Sequence, residues 1–338
     1  MERDSMSRSP LGVLVIGAGA IADLHVAAVA ADPRCVLAGF ADVSADRARS
    51  AAHRNGGVPW TADVAEALAR PDVDACIVCT PNDTHEDLAL RVAAAGKHLL
   101  LEKPLATTAE GAEAIVAAFA QRDLVLAVAH SHRFYDYART VHDEIAAGAV
   151  GRPTLVRLAL LGGWIWPDWR TWVIDPARSG GHALHNGVHL LDLVTWWIGG
   201  RPVSVYARGQ RRTATELDVH DYLEMVVEYA DGAVAICEMS RAHRPATLSH
   251  RDVVVQGTGG LLTMAWDGDS PLLWDEKGSH LLDPGVADGF AAQLGAWLDA
   301  VTAGNTRTPV SGEEAALAVA LGVAAERSMV SGLPVEVS

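Results

Sequence analysis

The sequence is short of lysine. It has three, Lys97, Lys103 and Lys277, beside 24 arginines. Where guanidinium is used so freely, each remaining amine invites a chemical reason, because an ammonium can lose its proton and a guanidinium cannot. Cysteine is scarce too, at four in 338 residues. That excludes a fold built on disulfides and fits a reducing compartment. Cys76 and Cys79 form C-x-x-C, but they lie in a run, 74–80, that reads as buried strand. An odd offset of three sends the two thiols to opposite faces, so they are expected to be small buried hydrophobes rather than a redox pair or zinc ligands. No uninterrupted apolar run is long enough to cross a bilayer. Residues 1–10 are polar and have no apolar h-region, so a loose tail is expected rather than a signal peptide, and the cytoplasm is the expected location. Basic charge is in deficit, with a net charge of −15. That argues against nucleic acid and against an anionic membrane surface as partners.

What is present is an ordinary globular composition, half hydrophobic and one fifth charged, long enough for two cores. The chain is organised around LGVLVIGAGAIADLH, residues 11–25. Leu11, Val13, Leu14, Val15 and Ile16 suit a strand covered on both faces. Gly17, Ala18, Gly19, Ala20, Ile21 and Ala22 then fit G-x-G-x-x-G/A. Gly17 permits a tight turn, Gly19 lets a pyrophosphate approach the backbone, and Ala22 lets the helix pack closely on the strand. The helix N-terminus offers N–H groups and partial positive charge to phosphates. A second strand, 36–40, leads to Asp42, whose carboxylate can accept from ribose hydroxyls and repel a 2′-phosphate. NAD is therefore expected over NADP. Asp42 can also be read as a helix cap before residues 44–54.

Alternation continues with helices at 44–54, 63–69, 84–95 and 107–121 and strands at 73–79, 98–101 and 124–129. Such a rhythm predicts βαβ units in a doubly wound parallel sheet, with ligands beyond the carboxyl ends of the strands. Thr80, Pro81 and Asn82 fall at one such end, and Glu102, Lys103 and Pro104 at another. After residue 133 the rhythm changes. A helix at 135–147 precedes strands at 154–161, 203–209, 222–229, 233–239, 252–256 and 261–265, with Asp231-Gly232 a strong hairpin signal. One helix, 181–198, interrupts them, and helices at 290–303 and 313–330 close the chain. The expected architecture is α/β: a dinucleotide-binding domain over 11–133 and an α+β domain over 134–338 with a mainly antiparallel, open sheet.

Several side chains can carry chemistry. A lysine directly after a buried strand, Lys103, can take or give the proton of an alcohol beside a nicotinamide. His182, His185, His189 and Asp192 have offsets of 3, 4 and 3 and share one face of a regular helix. They suggest an acid/base site with His189 oriented by an acid such as Asp192, or a metal site, although a lone helix rarely supplies four ligands to one ion and no metal is expected. Trp164, Trp166, Trp169 and Trp172, with Asp168 and Arg170, form a loop suited either to stacking on a sugar or to filling a core. His130, His132 and Arg133 follow the last strand of the first domain and are candidates for substrate contact.

With these residues assembled, the chain resembles the Gfo/Idh/MocA family, the glucose–fructose oxidoreductase and inositol dehydrogenase group. The likeness is carried by the glycine fingerprint, Asp42, Thr80-Pro81-Asn82 with His85, Glu102-Lys103-Pro104, Arg133-Phe134, and Gly187, His189 and Asp192. It implies a nicotinamide cofactor, hydride transfer at a sugar or polyol carbon, and a homodimer or homotetramer formed through the open sheet. By position, Lys103 looks like the catalytic lysine, His189 like the catalytic histidine, and Pro104 like a proline often preceded by a cis bond. Gly17, Gly19, Ala20, Ile21, Asp42, Thr80, Pro81, Asn82, His85, Glu102 and Lys103 are the expected cofactor-binding set. His132, Trp164, Trp166, Arg170, His185, Asn186 and His189 are the expected substrate-binding set. There is one departure: where the family commonly has D-x-G-x-H, this chain has His185 in place of the acid. The expected activity is hydride exchange between NAD and a secondary alcohol or ketone of a sugar, cyclitol or glycoside. Two other outcomes stay open: a tightly bound, recycled NAD serving glycoside cleavage or epimerisation, and a non-catalytic NAD- or sugar-sensing protein.

Overall fold

The computed structural model describes residues 10–163, 171–245, 247, 249–265, 272–275, 277–282 and 288–337. In the first unit β1 (Leu11–Ile16), α1 (Ala20–Ala31), β2 (Cys35–Ala41), α2 (Ala45–Arg54), β3 (Trp60–Thr61), α3 (Val64–Leu68), β4 (Ala75–Val78), α4 (His85–Ala94), β5 (His98–Glu102), α5 (Ala109–Ala120) and β6 (Leu126–Ala129) follow in turn. The sheet is parallel, in the order β3-β2-β1-β4-β5-β6. The order reverses between β1 and β4, which opens a crevice beyond their carboxyl ends. Val13, Leu14 and Val15 are fully buried because helices cover both faces. Cys76 packs in the core with Leu14 and Leu99, and Cys79 in the opposite one with Val15 and Leu100, so the C-x-x-C thiols do face apart. The two-residue β3 has no hydrophobic run to announce it.

The second unit holds α6 (Asp136–Ala146), β7 (Pro153–Gly162), α7 (Pro176–Ser179), α8 (Val188–Ile198), β8 (Pro202–Gln210), β9 (Tyr222–Tyr229), β10 (Val234–Ser240), β11 (Ser249–Gly257), β12 (Leu261–Ala265), β13 (Leu272–Asp275) and β14 (Gly278–Leu281). α9 (Gly289–Ala303), α10 (Gly312–Ser331) and β15 (Val335–Glu336) complete the chain. The strand order is β14-β13-β12-β11-β7-β10-β9-β8-β15, antiparallel except where β10 runs parallel to β7. Asp231 and Gly232 turn β9 into β10, with Gly232 at φ +86° as the tight turn requires. α8 covers one face of this sheet, packing Leu190, Leu191 and Val194 against Leu158, Met225 and Val253.

Two features differ from expectation. The helix predicted over 181–198 starts as a π-turn, Ala183–Gly187, before α8 begins. The C-terminal helices also return to the first unit. Leu294, Trp297 and Leu298 of α9 share a core with Val13 and Ile77, while Ala315 and Val319 of α10 share one with Leu14 and Leu99. The expected division after residue 133 is thus crossed by the last two helices. Among the described residues no helix is long and apolar enough to cross a membrane.

Candidate active site

The crevice of the parallel sheet is built by backbone. Gly17 has φ +93°, and a Cβ there would lie 2.6 Å from the Cys79 carbonyl oxygen, so only glycine fits. Gly19 precedes α1 as its N-cap, no side chain caps that helix, and a Cβ at Gly19 would meet nothing within 4 Å. The first residues of α1, Ala20 and Ile21, therefore lead a helix terminus that faces open space, which suits the pyrophosphate of a dinucleotide. Asp42 stands at the end of β2. Its Oδ2 accepts from the Ala18 N–H (2.9 Å) and its Oδ1 from the Ser44 N–H (2.7 Å). Arg47 donates to both oxygens. Burial pushes the Asp42 pKa up, but these hydrogen bonds outweigh it and hold the carboxyl below its usual range. The cap of α2 is Ser44, which accepts from Arg47 N–H. Asp42 instead braces the glycine turn through Ala18 at the carboxyl end of β2.

Three members of the expected cofactor set are committed elsewhere. His85 is fully buried, with Nδ1 2.6 Å from the Pro104 carbonyl oxygen and Nε2 3.0 Å from that of Thr80. It ties the two strand-end loops together and has no ring nitrogen to spare for a ligand. Glu102 is 2.8 Å from His25 Nε2 and accepts from the Lys103 N–H. Asn82 donates from Nδ2 to the Ser179 carbonyl (2.8 Å) and to His185 Nδ1 (3.0 Å). It joins the two units. Thr80 and Pro81 keep their place at the end of β4, where Thr84 donates to the Thr80 hydroxyl.

Lys103 follows β5 directly, and the bond to Pro104 is cis, as the resemblance implied. Its Nζ donates to the His185 carbonyl oxygen at 2.8 Å. Burial, then the Arg241 charge, lower its pKa from 10.5 to about 7, against the weaker pull of Glu102. The lysine is thus anchored on a main-chain carbonyl of the residue that replaces the family's acid. A carbonyl carries no full charge, so it orients the amine without holding it protonated as a carboxylate would.

His189, in the first turn of α8, is buried, with its ring 4.4 Å from that of His132. His132 Nδ1 is 2.6 Å from the Tyr137 hydroxyl. Arg251 lies over the Tyr137 ring at 5.5 Å and donates to its oxygen. Burial pushes the Tyr137 pKa up to about 12, so this hydroxyl keeps its proton beside His132 Nδ1. His132, His185 and His189 all lie well below the usual imidazole range, through burial first and then neighbouring positive charge, so all three are neutral at pH 7. Asn186 is buried beside them.

The expected stripe of four does not act as one group, because the π-turn inserts an extra residue into the helical repeat. His182 Nδ1 bonds the His220 carbonyl, His185 bonds Asn82, and His189 faces His132. Asp192 does not orient His189: both its oxygens are taken by Arg133, at 2.9 and 2.7 Å. That pair ties the two units together, helped by Arg133 donating to Glu314 at 2.7 Å. His130 is buried, 3.6 Å from Asp192. Among the described residues no three His, Cys, Asp or Glu side chains gather as a metal ion requires. Trp164, Trp166, Asp168, Trp169 and Arg170 lie outside the described residues. Trp172 is described, and its ring meets that of His185 edge-on at 5.1 Å.

Sequence reasoning missed Arg241 and Arg251, whose charges act on this cluster. Their signal was a charged residue at a position where strand alternation calls for an apolar one.

Comparison with known proteins agrees with this geometry. Residues 11–130 match the oxidoreductase family with an NAD-binding Rossmann fold, and residues 138–263 match the GFO/IDH/MocA C-terminal domain. The chain is 29% identical to 1,5-anhydro-D-fructose reductase of Ensifer adhaerens, over 87% of this chain and 89% of that one. It is 26% identical to myo-inositol 2-dehydrogenase of Thermotoga maritima, over 93% and 95%. Among solved structures it superposes on GenD2 from gentamicin A biosynthesis, in complex with NAD, with a TM-score of 0.86 and 29% identity over 100% and 99%. The chain belongs to the Gfo/Idh/MocA family and is an NAD(P)-dependent oxidoreductase.

Proposed function

We propose that the protein exchanges a hydride between NAD and a secondary alcohol or ketone on a sugar or cyclitol ring. When bound, the cofactor supplies the hydride acceptor at C4 of its nicotinamide. Gly17 and Gly19 give the dinucleotide backbone room, the N-terminus of α1 faces its phosphates, and Asp42 takes the ribose hydroxyls. The carboxylate of Asp42 disfavours a 2′-phosphate, so NAD is the proposed cofactor rather than NADP. Lys103, as a free amine, removes the hydroxyl proton while the hydride leaves the same carbon. His189, neutral, holds the hydroxyl by a hydrogen bond. His185, with Nδ1 accepting from Asn82, is left with its proton on Nε2 as a donor to a second hydroxyl.

One observation carries this reading: a buried amine with a pKa of about 7, from the first unit, is bonded to the main chain of the second unit four residues before His189. The relatives named for inositol and for 1,5-anhydro-D-fructose support a polyol or keto-sugar substrate. The outer face of the large sheet carries Leu155, Val226, Ile236 and Val254, all partly exposed, which supports assembly into a homodimer or homotetramer. All four cysteines are free, which suits the cytoplasm. The test is incubation with NAD and a panel of polyols and sugars, following reduced-cofactor absorbance. Net reduction by at least one ring polyol is expected. Tight, unreleased NAD with no net reduction would replace this reading by an internal redox cycle.

A further inference from the structure

His185, standing where the family commonly has an acid, has its hydrogen-bonding polarity set by Asn82. Asn82 is 2% exposed, and its Nδ2 is shared between the Ser179 carbonyl at 2.8 Å and His185 Nδ1 at 3.0 Å. Ser179 closes α7, and its carbonyl oxygen can only accept. That contact fixes which way the amide points, because the oxygen end would set two acceptors against each other. The amide nitrogen has two hydrogens and no lone pair to offer. One hydrogen goes to Ser179 and the other to His185 Nδ1, which must accept it. The single proton of a neutral imidazole then sits on Nε2.

His185 stays neutral, since burial, then the Lys103 charge, hold its pKa well below the usual range. Nε2 is therefore a donor and nothing else, and it bonds no group among the described residues. A carboxylate in this place would be an acceptor and nothing else. Imidazole for acid thus inverts the polarity of the bond offered to a substrate. The main-chain carbonyl of the same residue holds Lys103 Nζ at 2.8 Å, so donor and base hang from one residue. The Trp172 ring meets the His185 ring edge-on at 5.1 Å. It lends the surroundings of this donor an aromatic surface, which suits a carbon substituent better than a hydrated hydroxyl or a charged group.

We propose that His185 selects a sugar or cyclitol whose reacting hydroxyl has an ether oxygen, glycosidic or O-alkyl, on the neighbouring carbon. This rests on the dehydrogenase reading above and narrows its substrate class, making the second oxygen an ether. His185 Nε2–H donates to that oxygen, Trp172 receives the substituent, and Lys103, anchored on the same residue, faces the hydroxyl one carbon away. An ether oxygen is satisfied by one donor and leaves no proton to place, whereas a hydroxyl brings a proton that Nε2–H cannot accept.

The experiment is steady-state oxidation with NAD of glucose and of myo-inositol, each beside its mono-O-methyl and monodeoxy analogues, with kcat/KM compared within each set. At one position next to the oxidised carbon the O-methyl analogue is expected to match or exceed the parent. The deoxy analogue at that position should fall about tenfold, the loss of one neutral hydrogen bond. His185→Asp should reverse the order, with the O-methyl analogue about 30-fold below the parent, because a carboxylate facing an ether has no proton to accept. Melting temperature and NADH affinity close to wild type would show that the variant folds, and the wild-type order is a test without it. Nitrogen NMR on histidine-labelled protein, with the His185 signals assigned by their loss in the variant, should find the proton on Nε2 and none on Nδ1. A proton on Nδ1, O-methyl analogues that fall as far as their deoxy partners at every position, or an unchanged order in folded His185→Asp would each overturn the proposal and leave the dehydrogenase reading standing. No NADH from any member of either set would overturn that reading, and this one with it.

Discussion

The parallel sheet and the large mixed sheet meet the same space with different materials. The first presents backbone: a glycine turn, the uncapped start of α1, and a carboxylate held ready by Ala18 and Ser44. The second presents side chains that carry or abhor charge: neutral His185 and His189 on the helix, Arg241 and Arg251 at the ends of core rows. A cofactor used in every turnover needs only shape and N–H donors, which sequence-local turns provide. Discrimination among similar polyols needs fixed charge and hydrogen-bonding groups, which must be brought together from distant parts of the chain. Lys103 is the point of contact, a residue of the first sheet whose amine rests on the second unit's main chain.

The largest effect should come from breaking that contact. Lys103→Met is expected to lower kcat by about 10³-fold, the upper range for losing a positioned base. NADH affinity should stay within about twofold, because the amine serves the substrate side. The pH profile sharpens the test. Only the free amine accepts a proton, so kcat/KM for alcohol oxidation should rise with pH and level off above about 7, where the wild-type lysine titrates. A limb near 10 would mean that the amine is solvated and is not the base.

Within the first sheet, two glycines should separate folding from binding. Gly17→Ala puts a methyl against the Cys79 carbonyl at positive φ, so a loss of about 3 kcal/mol in denaturant unfolding is expected. Gly19→Ala meets open space and should cost under about 1 kcal/mol, the difference between glycine and alanine as an N-cap. It should still weaken NAD binding about tenfold, because the methyl enters the volume the pyrophosphate needs. Equal stability losses in both would remove the distinction.

This contrast also explains what could be read from the sequence. The β1-turn-α1 unit was legible because its cause is local: a buried strand, a turn only glycine can make, a small residue at the crossing. Lys103 and His189 were legible because strand end and helix position placed them. Roles fixed by distant partners were not. Asn82 and Glu102 fall at strand ends as expected and His85 opens α4, yet their side chains bond Ser179 and His185, His25, and Pro104 and Thr80 respectively. Asp192 was paired by helical spacing with His189, while Arg133, 59 residues away, holds it. The stripe of three histidines assumed 3.6 residues per turn, and the π-turn at Ala183–Gly187 breaks that count. Arg241 and Arg251 come onto the site only through strand register, which a single sequence does not declare.

A change of stability with pH tests what supports that π-turn. Glu326 of α10 accepts the Ala183 N–H at 2.7 Å, and burial raises its pKa from 4.5 to about 7. A Cβ on Gly181, at φ +93°, would lie 2.3 Å from this carboxyl, so the chain has left room for it. With the folded pKa above the unfolded one, the protonated group's contribution is complete below about 4.5 and is lost as pH rises to about 7. Glu326→Gln keeps a carbonyl acceptor and never ionises. The variant should match the wild type at pH 4 and exceed it at pH 8 by about 2 kcal/mol in urea unfolding, less than the full shift implies because the group is partly exposed. A variant that is equally or less stable at pH 8 would mean that the ionised carboxylate itself holds the Ala183 turn in place.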